Sequence, residues 1–325
     1  MRAVRIHEYG GPEVLVYEEA ERPSPGSGQV LVRILAAAVN QIDVAIRRNA
    51  FPTPKQLPRI LGSDGAGVVE ATGADVDTVR PGDEIFFTGL SISTDGSYAE
   101  YALLPAAVMA VPKPAVASFE QAASLGVATS AAWYALVRRG ALKEGETVLV
   151  QGGAGGVGSA AVQLARALGA RVLATVVHAS DVAGVLELGA EAVIDASADD
   201  VPAEVKRLTD DKGVDLILEL IASENLATDL GLIVRGGRIV VLGAGPDPSL
   251  TVPTGAAIGV DATVLFANAG NAGRAGTAET LRQIAALVEQ GRLKPVIGHV
   301  LPLEQARQAH ELLEGHHFGK IVLVP

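Results

Sequence analysis

Glycines at positions 153, 155 and 158 fit the pattern G-x-G-x-x-G, and their neighbours give that pattern a chemistry. An apolar run, Val148-Leu149-Val150, precedes the cluster Gly152-Gly153-Ala154-Gly155-Gly156-Val157-Gly158. Apolar residues then recur at helical spacing: Val157, Ala160, Ala161, Leu164, Ala165 and Leu168. Strand, tight turn and helix in that order bring free backbone N–H groups and the positive end of a helix dipole together, which suits a pyrophosphate. Glycine lets the backbone approach the phosphates, and the last one lets helix and strand pack closely. The alternative is a βα turn without a ligand, because 37 glycines make some matches accidental. The flanking strand and helix favour the dinucleotide.

A dinucleotide site of the NAD type places an Asp or Glu roughly 20 residues after the glycines, against the ribose 2′-hydroxyl. Here no acidic residue occurs from Ser159 through Ser180. That absence permits a 2′-phosphate, and Thr175, His178 and Ser180 stand where it would sit. Asp181 argues the other way, and a solvated loop is the plain reading of His178. NADP is expected over NAD.

Other chemistry has few candidates. There is no cysteine, so disulfides and thiolate metal sites are excluded. None of the six histidines, His7, His178, His299, His310, His316 and His317, has ligand spacing such as H-E-x-x-H. A G-x-S-x-G nucleophile elbow is absent. Asp199-Asp200 and Asp210-Asp211 read as solvated loop charges. Glu219 reads as a carboxylate at the edge of a core, or as a supporting group.

The elements that would hold these residues fall into two rhythms. The first 120 or so residues alternate short strands with turns, among them Arg2–Ile6, Val14–Glu19, Gln29–Val39 and Glu84–Phe87, which predicts a small β-barrel or sandwich-like domain. Asn40–Arg48 reads as a short helix. Thereafter strand and helix signals alternate. Strands are expected at Thr147–Gln151, Arg171–Val176, Ala192–Asp195, Asp215–Leu220, Arg238–Gly243 and Thr263–Ala267. Helices are expected at Gly156–Leu168, Asp181–Leu188, Val201–Thr209 and Ser223–Val234. Repeated βα units imply a doubly wound parallel sheet. Its strand ends, Leu220-Ile221, Gly243-Ala244 and Phe266-Ala267, would face the ligand crevice. Two helices, Thr277–Gln290 and Leu303–Glu314, and a strand, Lys320–Val324, complete the chain.

Composition bounds the rest. A chain of 325 residues suits about two domains, and 4% aromatic content calls for aliphatic cores. A formal charge of −11 argues against nucleic-acid binding. No run approaches the roughly 20 apolar residues of a membrane span, and a cytoplasmic protein is expected.

Several segments together resemble one superfamily: Asn40-Gln41-Ile42-Asp43, Gly62 to Val69, Pro81-Gly82-Asp83, Gly96 to Tyr101, the glycine turn, Gly236-Gly237-Arg238, and Gly319 to Leu323. Their order and spacing are similar to those of the medium-chain dehydrogenase/reductases, in the zinc-independent quinone oxidoreductase (zeta-crystallin-like) branch. The resemblance spans essentially the whole chain. It implies a GroES-like catalytic domain at 1–121, to which 268–325 returns, a Rossmann domain at 122–267, and a cofactor in the cleft. It also implies a homodimer through Thr263–Ala267, an apolar sheet edge that must otherwise be covered by the chain itself.

The resemblance also assigns roles. Zinc-dependent relatives carry a cysteine where this chain has Asn40 and a His-Glu pair at Ser63-Asp64, so no catalytic zinc is expected. Asn40 and Thr129 are implied at the nicotinamide end, with a helix N-cap as the alternative for Thr129. Asp43 would support the loop. Phe318-Gly319-Lys320 is implied on the cofactor side, or else Lys320 is a solvated cation. Phe51 stands where many relatives have a tyrosine facing the nicotinamide. It can wall the pocket but cannot donate a proton, so no general acid is visible. The implied activity is NADPH-dependent, zinc-free reduction of quinones or related electron-poor carbonyls. The rivals are an enone reductase and a non-catalytic NADPH-binding redox sensor.

Overall fold

The computed structural model describes residues 1–247 and 249–325 and separates into two compact units, Met1–Ser130 with Ala272–Pro325, and Ala131–Asn271. The first boundary falls inside the helix Val127–Trp133.

The second unit is a Rossmann sheet. Its six parallel strands lie in the order Ala192–Asp195, Arg171–Val176, Thr147–Val150, Val214–Glu219, Ile233–Val241, Thr263–Phe266. By chain order this is 3-2-1-4-5-6, which reverses between Thr147–Val150 and Val214–Glu219 and so opens a crevice beyond their carboxyl ends. The inner strands are covered on both faces and read as continuous apolar runs, VLV and LIL among them. The core gathers Leu149, Leu173, Ile194, Ile217, Leu226 and Ile239 and contains no aromatic residue. Each such side chain contributes roughly 1.5–3 kcal/mol on burial.

Within this unit two boundaries differ most from the sequence expectation. The helix expected to reach Val234 stops at Asp229, and the strand expected at Arg238 begins at Ile233. Gly236 and Gly237 resemble a turn, yet they lie within the strand; a register shift opposite, between Val214 and Leu216, absorbs the irregularity.

The first unit is the GroES-like one. Its main sheet runs Ile297–Pro302, Lys320–Val324, Gln29–Ala38, Asp64–Thr72, Glu84–Phe87, Val111–Pro112, and Tyr101–Pro105 pairs along the first half of Gln29–Ala38. The sheet stays open, because its two end strands do not pair. A smaller sheet joins Val16–Glu19, Arg2–Ile6 and Arg59–Ile60. Lys320–Val324 is buried and antiparallel to Ala37–Ala38, so the end of the chain reaches the start of the helix Gln41–Arg47. Ile297–Pro302 was not apparent in the sequence. Its mostly exposed residues carry no period-two pattern, and it forms by pairing with Lys320–Val324. Among the described residues, no helix is long and apolar enough to cross a membrane.

Candidate functional site

The turn after Thr147–Val150 is held from behind. Gly152 N donates to Thr175 Oγ1 at 3.0 Å and Gly153 N to Thr175 O at 2.7 Å. The helix Gly156–Ala167 then starts with Gly155 as its N-cap, without a side-chain cap. Its first-turn amides, at Gly156, Val157 and Gly158, have no partner within the helix. The glycines serve different ends. A Cβ at Gly158 would run into the Gly152 carbonyl, and one at Gly153 would come within 3.0 Å of Ala174 and Val185. A Cβ at Gly155 would meet only Gly152 O at 3.9 Å, and its φ of −71° suits any residue. Packing therefore accounts for Gly153 and Gly158 but not for Gly155. A bare amide surface beside an uncapped helix start fits a diphosphate.

Beyond the turn, Thr175 is buried and its hydroxyl donates to Gln151 Oε1 at 2.8 Å, so it shapes the turn rather than reaching outward. Val177, His178 and Ser180 are exposed. Asp181 turns inward and is buried. A carboxylate outside the Ser159–Ser180 window enters from the neighbouring strand: Asp195 lies opposite Val176 in register, and hydrogen bonds from Ser197, then the charge of His178, hold its acid below the usual range. Only the sheet pairing brings it there.

In the first unit, Asn40 precedes the helix Gln41–Arg47 and is almost completely buried. Its Nδ2 donates to Ala38 O at 3.1 Å and Asp64 Oδ2 at 2.9 Å, while its Oδ1 accepts from Lys320 Nζ at 2.5 Å. Carboxylate and carbonyl only accept and ammonium only donates, so the amide's orientation is fixed. Asn40 has spent both hydrogens; what it can still offer a ligand is a lone pair. Lys320 is not a solvated cation. It is buried, donates also to Val39 O at 2.7 Å, and is pushed down by burial while Asp64 and Asp43 push it up.

Asp64 accepts from Thr88 Oγ1 at 2.6 Å and, with both oxygens, from Val127 N at 3.0 and 2.9 Å. Asp64 thus caps the start of Val127–Trp133, and Thr129 lies in that helix's first turn rather than at its cap. Asp43 accepts from Asn40 N at 3.1 Å and Ser63 Oγ at 2.9 Å, and is pushed up to about 6, first by burial and then by Asp64. Behind it, Tyr98 OH lies 3.3 Å from Asp43 Oδ2 and 3.2 Å from His310 Nε2, and His310 Nδ1 lies 2.9 Å from Arg47 Nη1. No local pattern marks this chain of contacts, whose members are scattered from 43 to 310.

Comparison with known proteins fits this picture. Residues 26–115 match the alcohol dehydrogenase GroES-like domain and residues 188–323 the zinc-binding dehydrogenase family. The human quinone oxidoreductase is 37% identical over 332 residues, covering 100% of this chain and 98% of the relative. The Pseudomonas aeruginosa quinone oxidoreductase is 32% identical over 329 residues, with 100% and 99% covered.

The chain belongs to the quinone oxidoreductases of the medium-chain dehydrogenase/reductase superfamily.

Solved structures agree. The Escherichia coli quinone oxidoreductase complexed with NADPH superposes on this oxidoreductase with a TM-score of 0.90 at 29% identity over 100% of both chains. A structure titled NAD-dependent alcohol dehydrogenase gives 0.93 at 34%, again over 100% of both.

A zinc ion, implied by one family description, does not fit the residues present. In this oxidoreductase Asn40 binds an ammonium, Ser63 Oγ is engaged by Asp43 and by Ser91 at 2.8 Å, and both Asp64 oxygens are taken. Among the described residues, no group of three or more His, Cys, Asp or Glu is placed to hold a metal.

The remaining expected residues are dispersed. Leu220 and Gly243 meet by backbone: a Cβ at Gly243 would strike the Leu220 carbonyl, and Ala222 N and Ser223 N donate to Gly243 O and Ala244 O. Ile221 is exposed, Ala267 is half-buried, and Phe266 is 60% exposed on the edge strand. Phe318 is half-buried, and Gly319, at φ +75°, packs against Val296. Phe51 is exposed on the turn after Gln41–Arg47, its amide bonded to Ala45 O.

Proposed function

We propose that this oxidoreductase takes NADPH at the Gly152–Gly158 turn and reduces quinones or related electron-poor carbonyls without zinc. The observation that carries the reading is Gly155, which neither backbone strain nor packing requires and which lies at an uncapped helix start. The amides of Gly156 and Val157 would hold the diphosphate, and Val177, His178 and Ser180 offer an open surface for the 2′-phosphate. Bound there, the reduced nicotinamide supplies a hydride. The chain's own contribution is position and electrostatics. Asn40 presents an acceptor, fixed by Lys320 and Asp64. Phe51 provides an apolar face for a planar substrate. Phe51 cannot donate a proton. That suits quinones, whose reduced anion takes its proton from water, better than enones, which gain from a positioned donor.

A second reading concerns the nucleotide. Asp195 beside the Val176 strand end is a carboxylate of the kind that holds a ribose 2′-hydroxyl, and it favours NAD. Titration with both nucleotides, followed by oxidation of the preferred one with a quinone panel and then an enone panel, tests the proposal. Turnover with enones alone replaces quinone reduction by enone reduction. Tight binding without turnover replaces it by a redox sensor.

Assembly follows from the sheet edge. We propose a homodimer through Thr263–Phe266, where Phe266 is exposed on an unpaired edge and Ile258, in the preceding helix Thr254–Gly259, is 76% exposed. The cysteine-free, acidic composition suits a reducing compartment such as the cytoplasm.

A further inference from the structure

Behind the glycine turn, inside the Rossmann unit, two carboxyl groups are buried, and Glu219 acts on Asp229 by hydrogen bond and charge. Glu219 ends its strand, Asp229 ends the following helix, and both have no exposed surface. Glu219 Oε1 accepts from Ile221 N and from Asn225 Nδ2 at 3.3 Å. Asp229 Oδ1 accepts from Gln151 Nε2 at 2.9 Å. The remaining oxygens, Glu219 Oε2 and Asp229 Oδ2, are both buried and neither accepts from any donor. Two carboxylates cannot satisfy each other, since both only accept. One proton between them satisfies both at once.

The pair is wired to the turn. Gln151 has its Nε2 on Asp229 and its Oε1 on Thr175 Oγ1, and Thr175 Oγ1 accepts from Gly152 N. Gly152 sits at φ +72°, a left-handed conformation that glycine adopts without strain. Gln151 can bridge in this sense only while Asp229 Oδ1 is free to accept. We propose that Glu219 and Asp229 hold a single shared proton and act, through Gln151 and Thr175, as positioning residues for the dinucleotide turn. The inference rests on the proposed nucleotide site.

The chemistry around Asp229 agrees. Burial, then its hydrogen bond and charge interaction with Glu219, push the acid far above the usual carboxylate range, against Gln151 alone. Glu219 is the charged group that raises it. Raising the pH through this pKa removes the proton and leaves two facing charges behind the turn.

Amide substitutions count the protons. In Asp229→Asn the new oxygen still accepts from Gln151 and the new amide donates to Glu219. In Glu219→Gln the new amide donates to Asp229. Each single change replaces the shared proton by a covalent hydrogen. The double change sets two amide groups donor to donor. The expected result is NADPH affinity within about threefold of wild type for each single variant at neutral pH, and a loss of at least about tenfold for the double. Wild-type affinity falls as the pH is raised to about 10, whereas that of Asp229→Asn stays level. Singles as damaged as the double, or a wild-type affinity flat with pH, overturn the proposal. Hydrogen exchange at Gly152 and Gly153 in the nucleotide-free protein, normalised for base catalysis, separates it from the proposed function. Alkaline loss of protection in wild type but not in Asp229→Asn supports the shared proton even if NADPH does not bind.

Discussion

Lys320 Nζ donates to Asn40 Oδ1 at 2.5 Å across 280 residues of sequence. The last strand thereby sets the orientation of the amide, and its ammonium lies beside two buried carboxylates, Asp64 and Asp43. Lys320→Met keeps the stem and removes the charge. Uncovering buried carboxylates in this way typically costs about 3–5 kcal/mol. We expect a loss of that order in denaturant unfolding near neutral pH. The loss shrinks as the pH falls toward about 6, because without the ammonium Asp43 takes its proton at a higher pH than in the wild type.

Gly155 and Gly158 are predicted to fail differently. A Cβ at Gly158 meets the Gly152 carbonyl, so Gly158→Ala should destabilise by about 1–3 kcal/mol. Gly155→Val has room within the protein and should leave the melting temperature near wild type. Its side chain would occupy the proposed diphosphate position instead, so NADPH affinity should fall by about a hundredfold or more. Unchanged affinity in Gly155→Val removes the turn from the proposed function.

Nucleotide preference can be moved from either side of the pocket. Val177 is exposed and can carry a carboxylate, whereas Val176 is buried and cannot without a desolvation penalty. Val177→Asp should shift the ratio of kcat/KM values toward NADH by about tenfold or more. Asp195→Asn should shift it toward NADPH, because a carboxylate beside the strand end repels a 2′-phosphate. A ratio unmoved by both changes would place the 2′ pocket elsewhere.

Two buried groups make opposing contributions to acid stability. Burial and Arg47 lower His310 from 6.5 to about 3, so only the unfolded chain binds its proton between those values. Its contribution is full above 6.5 and is lost as the pH falls. Asp43 is raised from 3.8 to about 6, so in that window the folded protein holds the proton and gains stability as the pH falls. His310→Gln can still accept from Arg47 and donate to Tyr98 while removing the titration. Relative to wild type it should gain about 1.4 kcal/mol per pH unit as the pH falls through the His310 window, measured by denaturant unfolding.

The edge strand Thr263–Phe266 offers a test of assembly. Phe266→Lys puts a charge on an exposed position of an unpaired edge and should leave the fold intact. Sedimentation should then show a monomer where the wild-type chain sediments as a dimer. A wild-type monomer would refute the proposed interface.

The sequence alone determined the Rossmann unit and its turn. Periodicity is local: strand Thr147–Val150, the glycines and helix Gly156–Ala167 are contiguous, and each carries its own pattern. It also excluded thiolate chemistry by composition. It misjudged the helix at Asp229 and the strand at Ile233, because Gly236-Gly237 mimics a turn that the neighbouring strand's register shift accommodates. Only the tertiary structure decided which polar groups meet. Lys320 reaches Asn40 because two strands far apart in sequence pair, Asp195 reaches Val176 because successive strands pair in parallel, and Glu219 acts on Asp229 from the other end of the helix Ala222–Asp229. Burial and pairing create those relationships, and neither leaves a period in the chain.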